Sequence, residues 1–263
     1  MAGSQSGFFW YELMTTDVAG AKAFYGNVIG WKTQDMPMPD MTYTILQAAE
    51  TGVGGMMPMP AHAREAGAKP NWTGYIYTDG VDAAVTKLVG LGGTVHRAPS
   101  DIPDVGRFAV AADPQGAVFQ LLTPRPAQPG QSGNRTPSNA PGHTGWHELH
   151  TTDWPRAFDF YGALFGWLKG DSMDMGPMGK YQLFTIDGVA VGGMMNSPMA
   201  AQQRFWLFYF NVDDIEAAAQ RVAKGGGKVT EGPHQVPGGS WVIQATDPQG
   251  ALFAMVGPKK IPN

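Results

Sequence analysis

The chain has 263 residues, enough for two domains that each bury a core. With 18 basic against 22 acidic residues, a net charge of −4 and no basic run beyond Lys259-Lys260, it lacks the clustered positive charge that nucleic acid requires of a partner. Cysteine is absent, which excludes disulfides, thiolate nucleophiles and Cys-based zinc or iron–sulfur sites. No apolar run approaches the ~20 residues of a membrane helix, and MAGSQSGFFWYEL has neither the basic nor the apolar region of a signal peptide. The expected location is the cytoplasm, with neither a membrane nor a nucleic acid as partner. The 36 Gly and 21 Pro suit short strands joined by tight turns. The 15 Met and 8 Trp serve either as core filler or as the adaptable lining of a ligand site.

In chain order, WYELMTT (10–16) reads as a strand, and Asp17 is placed to N-cap a helix. Val18, Ala21, Tyr25 and Val28 recur along one face of that helix, and Gly30 stops it. MTYTILQA (41–48) and GVGGMM (52–57) are strand-like. The pattern then restarts with the strand NWTGYIYT (71–78), a helix opened by Asp79 or Asp82 and running through Leu88, and the strands GGTVHRA, RFAVAAD and AVFQLLT. DPQG (113–116), before the last of these, has the Pro and Gly of a type I turn. PRPAQPGQSGNRTPSNAPG (124–142) has no hydrophobic period and reads as an extended linker. The same series follows it: WHELHTT, a helix with Pro155 in its first turn, AVGGMM, FWLFYFNV, the helix DIEAAAQRVAKG, GGKVTEG, SWVIQAT and ALFAMVG.

The second series copies the first. Trp10, Glu12 and Thr15-Thr16-Asp17 match Trp146, Glu148 and Thr151-Thr152-Asp153 at an offset of 136. AKAFYGNVIGW matches RAFDFYGALFGW, GVGGMM matches AVGGMM at 138, and Trp72 and DPQGA match Trp206 and a second DPQGA at 134. Matches that keep their order with small offset changes mean duplication. The expected division is therefore 7–123, the linker 124–142, and 143–258, each half reading as βαβββ–βαβββ.

The pattern strand-TTD-helix, FY-x3-hydrophobic-GW, GGMM and DPQGA-x-F resembles the glyoxalase / bleomycin-resistance / extradiol dioxygenase superfamily, also called the vicinal oxygen chelate fold. The resemblance spans nearly all the chain outside the linker and is strongest to a two-domain, glyoxalase-like actinobacterial subgroup. It implies an α+β fold of tandem domains, with four βαβββ modules forming two cup-shaped sheets. It also implies, in the family's enzymes, a divalent metal held by His, Glu or Gln on the first and last strands, acting as a Lewis acid on paired substrate oxygens. The family's first-strand ligand lies seven residues before the capping Asp, which here gives Trp10 and Trp146. The last-strand ligand lies seven residues after the Asp of the turn, giving Gln120 and Ala254. Indole and methyl groups cannot ligate a cation, so the expectation is no metal and no cofactor.

On a strand, residues two apart share a face. Trp10, Glu12 and Met14 therefore point one way, as do Trp146, Glu148 and His150, with Tyr11 and His147 opposite. Glu12 and Glu148 have two open readings. Each is a buried carboxylate satisfied by backbone or Tyr donors, or a desolvated acid–base group or ligand anchor. His150 has no counterpart in the first copy, which makes Glu148 and His150 the better acid–base pair. Tyr43 with Tyr181, Met56 with Met194, and Trp72 with Trp206 match across copies. Singly each reads as core; together with Trp10, Trp146 and Gln120 they suggest a lining for a planar ligand.

Three functions follow from this reading. The first is a metal-independent protein, a monomer or homodimer, that binds a small, partly aromatic molecule for sequestration or for Glu/His chemistry. The second is a metal-dependent lyase, isomerase or dioxygenase with displaced ligands. The third is a non-catalytic interaction protein with vestigial cups.

Overall fold

The computed structural model describes residues 6–125 and 139–260. Most of the expected linker, 126–138, lies outside the described residues. The first module is β1 (Phe8–Thr15), α1 (Val18–Val28), β2 (Lys32–Pro37), β3 (Thr42–Ala48) and β4 (Thr51–Pro58). A short helix, α2 (Ala61–Glu65), leads to the second: β5 (Asn71–Tyr77), α3 (Val81–Gly90), β6 (Thr94–Ile102), β7 (Gly106–Ala112) and β8 (Val118–Pro124). The third is β9 (Thr144–Thr151), α4 (Trp154–Phe165), β10 (Leu168–Asp174), β11 (Lys180–Ile186) and β12 (Val189–Asn196). The fourth is β13 (Phe205–Asn211), α5 (Ile215–Lys224), β14 (Lys228–Gln235), β15 (Trp241–Thr246) and β16 (Leu252–Gly257). Two eight-stranded mixed sheets result, ordered β2-β3-β4-β1-β5-β8-β7-β6 and β10-β11-β12-β9-β13-β16-β15-β14. This is the α+β arrangement of four βαβββ modules. Among the described residues no helix is long and apolar enough to cross a membrane.

Local chemistry sets the element ends. Asp17 accepts from the backbone N–H of Gly20 and Asp153 from that of Arg156, so both aspartates cap their helices. Gly166 closes α4 with φ 79°, a left-handed position that glycine adopts without a Cβ clash. The helix expected from Asp79 or Asp82 instead has Gly80 as its N-cap. Asp79 is taken by the Tyr77 hydroxyl at 2.8 Å, and Asp82, inside the first turn, by Arg107. Strands β2 and β10 carry no clean apolar alternation because both are edge strands, exposed at most positions. Lys259 and Lys260 pair with Glu216 and Asp213, and Lys259 also lies 4.9 Å over the Trp241 ring.

The chain packs as two compact units, neither continuous in sequence. One comprises residues 6–9, 73–125 and 147–206; the other comprises 10–72, 139–146 and 207–260. Within the first, a buried chain of hydrogen bonds ties Tyr161 of the third module to Trp206 at the start of β13 and to Asp113 of the second module. Trp206 Nε1–H donates to the Tyr161 hydroxyl at 3.0 Å, and that hydroxyl donates to Asp113 at 3.2 Å. Burial raises the Asp113 pKa, opposed by the Ala117 and Gln115 N–H groups and the Tyr161 hydroxyl. Beside it, Gln115 Oε1 accepts from Thr151, Thr152 and Asp153, while its amide donates to the Asp153 carbonyl. The DPQG turn of one half thus clasps the TTD segment of the other.

The second unit repeats the chain with Trp72, Tyr25 and Asp247 at 2.9 and 3.0 Å. Its Gln249 does not reproduce the clasp, and Gln249 Oε1 is buried without a partner. Tyr161 is fully buried. Tyr161→Phe should therefore cost about 1–3 kcal/mol, because it strands the Trp206 N–H and removes a donor from Asp113. Denaturant unfolding of this variant beside wild type measures the loss, and unchanged stability would refute the role given to the hydroxyl.

Candidate functional site

The duplicated strands β1 and β9 put their glutamates beside the glycine pair of β4 and β12. Glu12 lies opposite Gly55 and Glu148 opposite Gly193. A methyl at Gly55 would overlap the Tyr43 ring, and one at Gly193 the Tyr181 ring. The missing side chain is what lets each tyrosine lie across the neighbouring strand and reach the carboxylate. Tyr43 donates to Glu12 Oε2 at 3.0 Å and Tyr181 to Glu148 Oε2 at 2.9 Å. The first glycine of each pair is confined differently: methyls at Gly54 and Gly192 would strike the carbonyls of Tyr11 and His147. The repeated GG and Tyr are therefore parts of one device that seats a tyrosine on a buried glutamate.

Beyond that device the copies diverge. In the first, Trp10 Nε1–H donates to the Tyr43 hydroxyl at 3.0 Å, giving a Trp–Tyr–Glu chain. Burial and the Glu12 charge hold the Tyr43 pKa well above its usual value, so the proton stays on the phenol. In the second, His150 Nε2 lies 2.8 Å from Glu148 Oε1, and Nδ1 lies 2.9 Å from the Ser197 hydroxyl. The His150 ring stacks on Phe205 with centroids 4.6 Å apart and planes 9° apart. Glu148 and His150 are both buried, and Trp146, at the start of the same strand, is half-buried.

On the opposite face His147 Nδ1–H donates to the Val191 carbonyl at 2.7 Å, and burial lowers the His147 pKa to about 4. This separation of faces follows from strand alternation and agrees with the sequence reading.

The other expected ligand contacts are placed less uniformly. Met56 and Met194 lie opposite Leu13 and Leu149, on the face away from the glutamates, and both are fully buried. The methionines that share the glutamate face are their neighbours, Met57 and Met195, opposite Met14 and His150. Trp72 and Trp206 are core residues bonded to Tyr25 and Tyr161, and the structure does not bring them to this face. Gln120 is buried on β8 beside Tyr75 of β5, and Ala254 occupies its aligned place on β16 beside Tyr209.

Sequence reasoning missed Ser197 and Phe205. The signal was available for Ser197: it aligns with Met59, so Met14 and Met59 change together into His150 and Ser197.

Donor chemistry decides how well a divalent cation would fit. The positions the family uses carry Trp10, Trp146, Gln120 and Ala254, and the Trp10 N–H is committed to Tyr43. Glu148 and His150 are bonded to each other. Among the described residues no group of three or more His, Cys, Asp or Glu side chains could hold a metal ion. The residues present do not fit a metal held in the family's manner.

Comparison with known proteins agrees with this architecture. The family model for the Glyoxalase/Bleomycin resistance protein/Dioxygenase superfamily matches residues 7–121 and again 141–255. The chain is 36% identical over 251 residues to "Putative glyoxylase CFP32" of Mycobacterium bovis, covering 95% of this chain and 94% of that one. It is 29% identical over 259 residues to the anthracycline biosynthesis protein DnrV of Streptomyces peucetius, covering 94% and 91%. Among solved structures, the Mn(II)-bound glyoxalase of Novosphingobium aromaticivorans superposes with a TM-score of 0.65 at 14% identity, covering 98% of this chain and 83% of that one. The 2,3-dioxygenase LapB of Pseudomonas sp. KL28 gives 0.66 at 13% identity, covering 99% and 96%. At such identities the structural likeness speaks for the fold alone. With both halves matched in full and a relative this similar over nearly its whole length, the chain belongs to the glyoxalase/bleomycin resistance protein/dioxygenase superfamily.

Proposed function

We propose that this protein binds a small, partly aromatic organic molecule against its Trp–Glu faces without a family-type metal, and that Glu148 with His150 performs acid–base chemistry on it. The observation that carries the reading is the buried 2.8 Å Glu148–His150 contact. A carboxylate that accepts from both Tyr181 and His150 is held in one orientation, with the proton it would exchange already in contact. Half-exposed Trp10 and Trp146 offer flat apolar surface for a ring to stack on. The name of the relative from Streptomyces peucetius, an anthracycline biosynthesis protein, supports a planar aromatic ligand class.

The first copy favours a second reading for its own half. Met14 stands where His150 does, and Glu12 accepts from the Tyr43 hydroxyl. That half holds a ligand without acting on it.

Native mass spectrometry of the purified protein, followed by tryptophan quenching with a panel of planar phenols and quinones, identifies a ligand. With a turned-over ligand in hand, Glu148→Gln and His150→Ala should each lower the rate by about 10²–10⁴-fold, while Glu12→Gln leaves it nearly unchanged. Full turnover in both second-copy variants would sink the acid–base role. A stoichiometric transition metal required for binding would overturn the metal-independent reading.

A further inference from the structure

The two copies differ around the glutamate in a chemically matched way. Met59 N–H donates to the Thr15 carbonyl and Ser197 N–H to the Thr151 carbonyl, so Ser197 occupies the place of Met59 in fold as well as in alignment. Where the first copy has Met14 and Met59, the second has His150 and Ser197, bonded to each other. Two thioethers have been exchanged for an imidazole and a hydroxyl that meet at 2.9 Å.

With Glu148 ionised, as the acid–base reading has it, the carboxylate can only accept, and His150 Nε2 carries the hydrogen that faces it. In the neutral ring Nδ1 is then an acceptor, and the Ser197 O–H is the group placed to donate to it. The Ser197 oxygen meanwhile accepts the backbone N–H of Met199 at 3.2 Å as the N-cap of a short 3-10 turn, Pro198–Ala201, which fixes the hydroxyl in place. Ser197 is half-buried, and its neighbours Asn196, Pro198 and Met199 are exposed. His150 is enclosed by Glu148 from its own strand, Ser197 after β12, Met195 on β12 and Phe205 at the start of β13, with Tyr181 reaching it through Glu148.

We propose that Ser197 is a positioning residue that locks His150 in the Nε2–H tautomer and joins buried Glu148 to solvent as a proton relay. This rests on the reading of Glu148 as the acid–base group. In one passage the Ser197 O–H bond breaks as an Nδ1–H bond forms, and the Nε2–H bond breaks as a Glu148 O–H bond forms. A water proton then replaces the one Ser197 gave up. One proton moves inward, no electrons are transferred, and reversal restores the ring. Met14 and Met59, at the same places in the first copy, are thioethers with no proton to pass on.

The test reads the ring itself, in the full-length protein without ligand. Long-range ¹H–¹⁵N spectra, with the His150 signal assigned by its loss in His150→Asn, should show the Nε2–H tautomer. Ser197→Ala should mix the tautomers and slow exchange of the Nε2 proton with water by roughly tenfold or more, and Ser197→Thr should restore both. If the alanine variant unfolds, Ser197→Gly removes the hydroxyl while keeping a residue that N-caps tolerate. A ring in the Nδ1–H form in wild type, or exchange unchanged in the hydroxyl-free variants, overturns the proposal. Because this readout needs no turnover, a failed relay and a failed Glu148→Gln experiment are told apart.

Discussion

Gly193→Ala is expected to destabilise the protein by about 1–3 kcal/mol, with nearly all of that loss vanishing in a Tyr181→Ala background. The added methyl lands on the Tyr181 ring, which is buried and bonded to Glu148, so neither ring nor strand can yield cheaply. Once the ring is removed, the methyl occupies the space it leaves. A double-mutant cycle of chemical unfolding measures the coupling. Additive effects would mean that the glycine serves some other end than seating the tyrosine. Gly55→Ala with Tyr43→Ala should behave alike, since the first copy has the same overlap. Gly192→Ala should be worse and not rescued by the tyrosine deletion, because its methyl meets the His147 carbonyl and the Phe184 ring. In the second copy the coupled variants should also lose ligand affinity, since a displaced Tyr181 no longer orients Glu148.

Acid should weaken the protein at one identifiable residue. Buried His147 keeps its proton off until about pH 4, against 6.5 for an unstrained histidine, because desolvation penalises the cation more than the bond to the Val191 carbonyl favours it. Between those values the unfolded chain binds a proton that the folded chain refuses, so stability rises with pH there. The contribution is full above 6.5 and is lost as pH falls to about 4, amounting to roughly 3 kcal/mol. His147→Gln, which cannot titrate, should remove this step from the pH dependence of unfolding while the carboxylate titrations persist. An identical acid profile in that variant would contradict the assignment. The first copy has Tyr11 at this place, and burial raises its pKa, so it stays neutral throughout the same range.

How far the site was legible can be judged residue by residue. That Glu12 and Glu148 share a face with their tryptophans, and that Tyr11 and His147 do not, follows from strand alternation and needed no coordinates. Met56 and Met194 show the limit of that reasoning. In GGMM two adjacent methionines point to opposite faces, and only the register between β1 and β4 decides which one joins the glutamate. Trp72 and Trp206 are aromatic residues in repeated positions, which composition cannot separate from ligand contacts; their bonds to Tyr25 and Tyr161 place them in the core. Ser197 sits in a short turn with no motif around it; its alignment with Met59 marks it as a change between the copies, and its 2.9 Å distance to His150 gives that change a meaning.

The sequence by itself determined the duplication, the four βαβββ modules and the superfamily, because each rests on residue type and local spacing. Only the tertiary structure decided which modules pack together. The second module joins the third through the buried Tyr161–Asp113 bond, and the first joins the fourth through Tyr25–Asp247, between residues 48 and 222 positions apart. No local pattern specifies such a pairing, since Tyr25 and Tyr161, like Asp113 and Asp247, are matched residues in nearly identical local surroundings, and only the folded chain shows which of them meet.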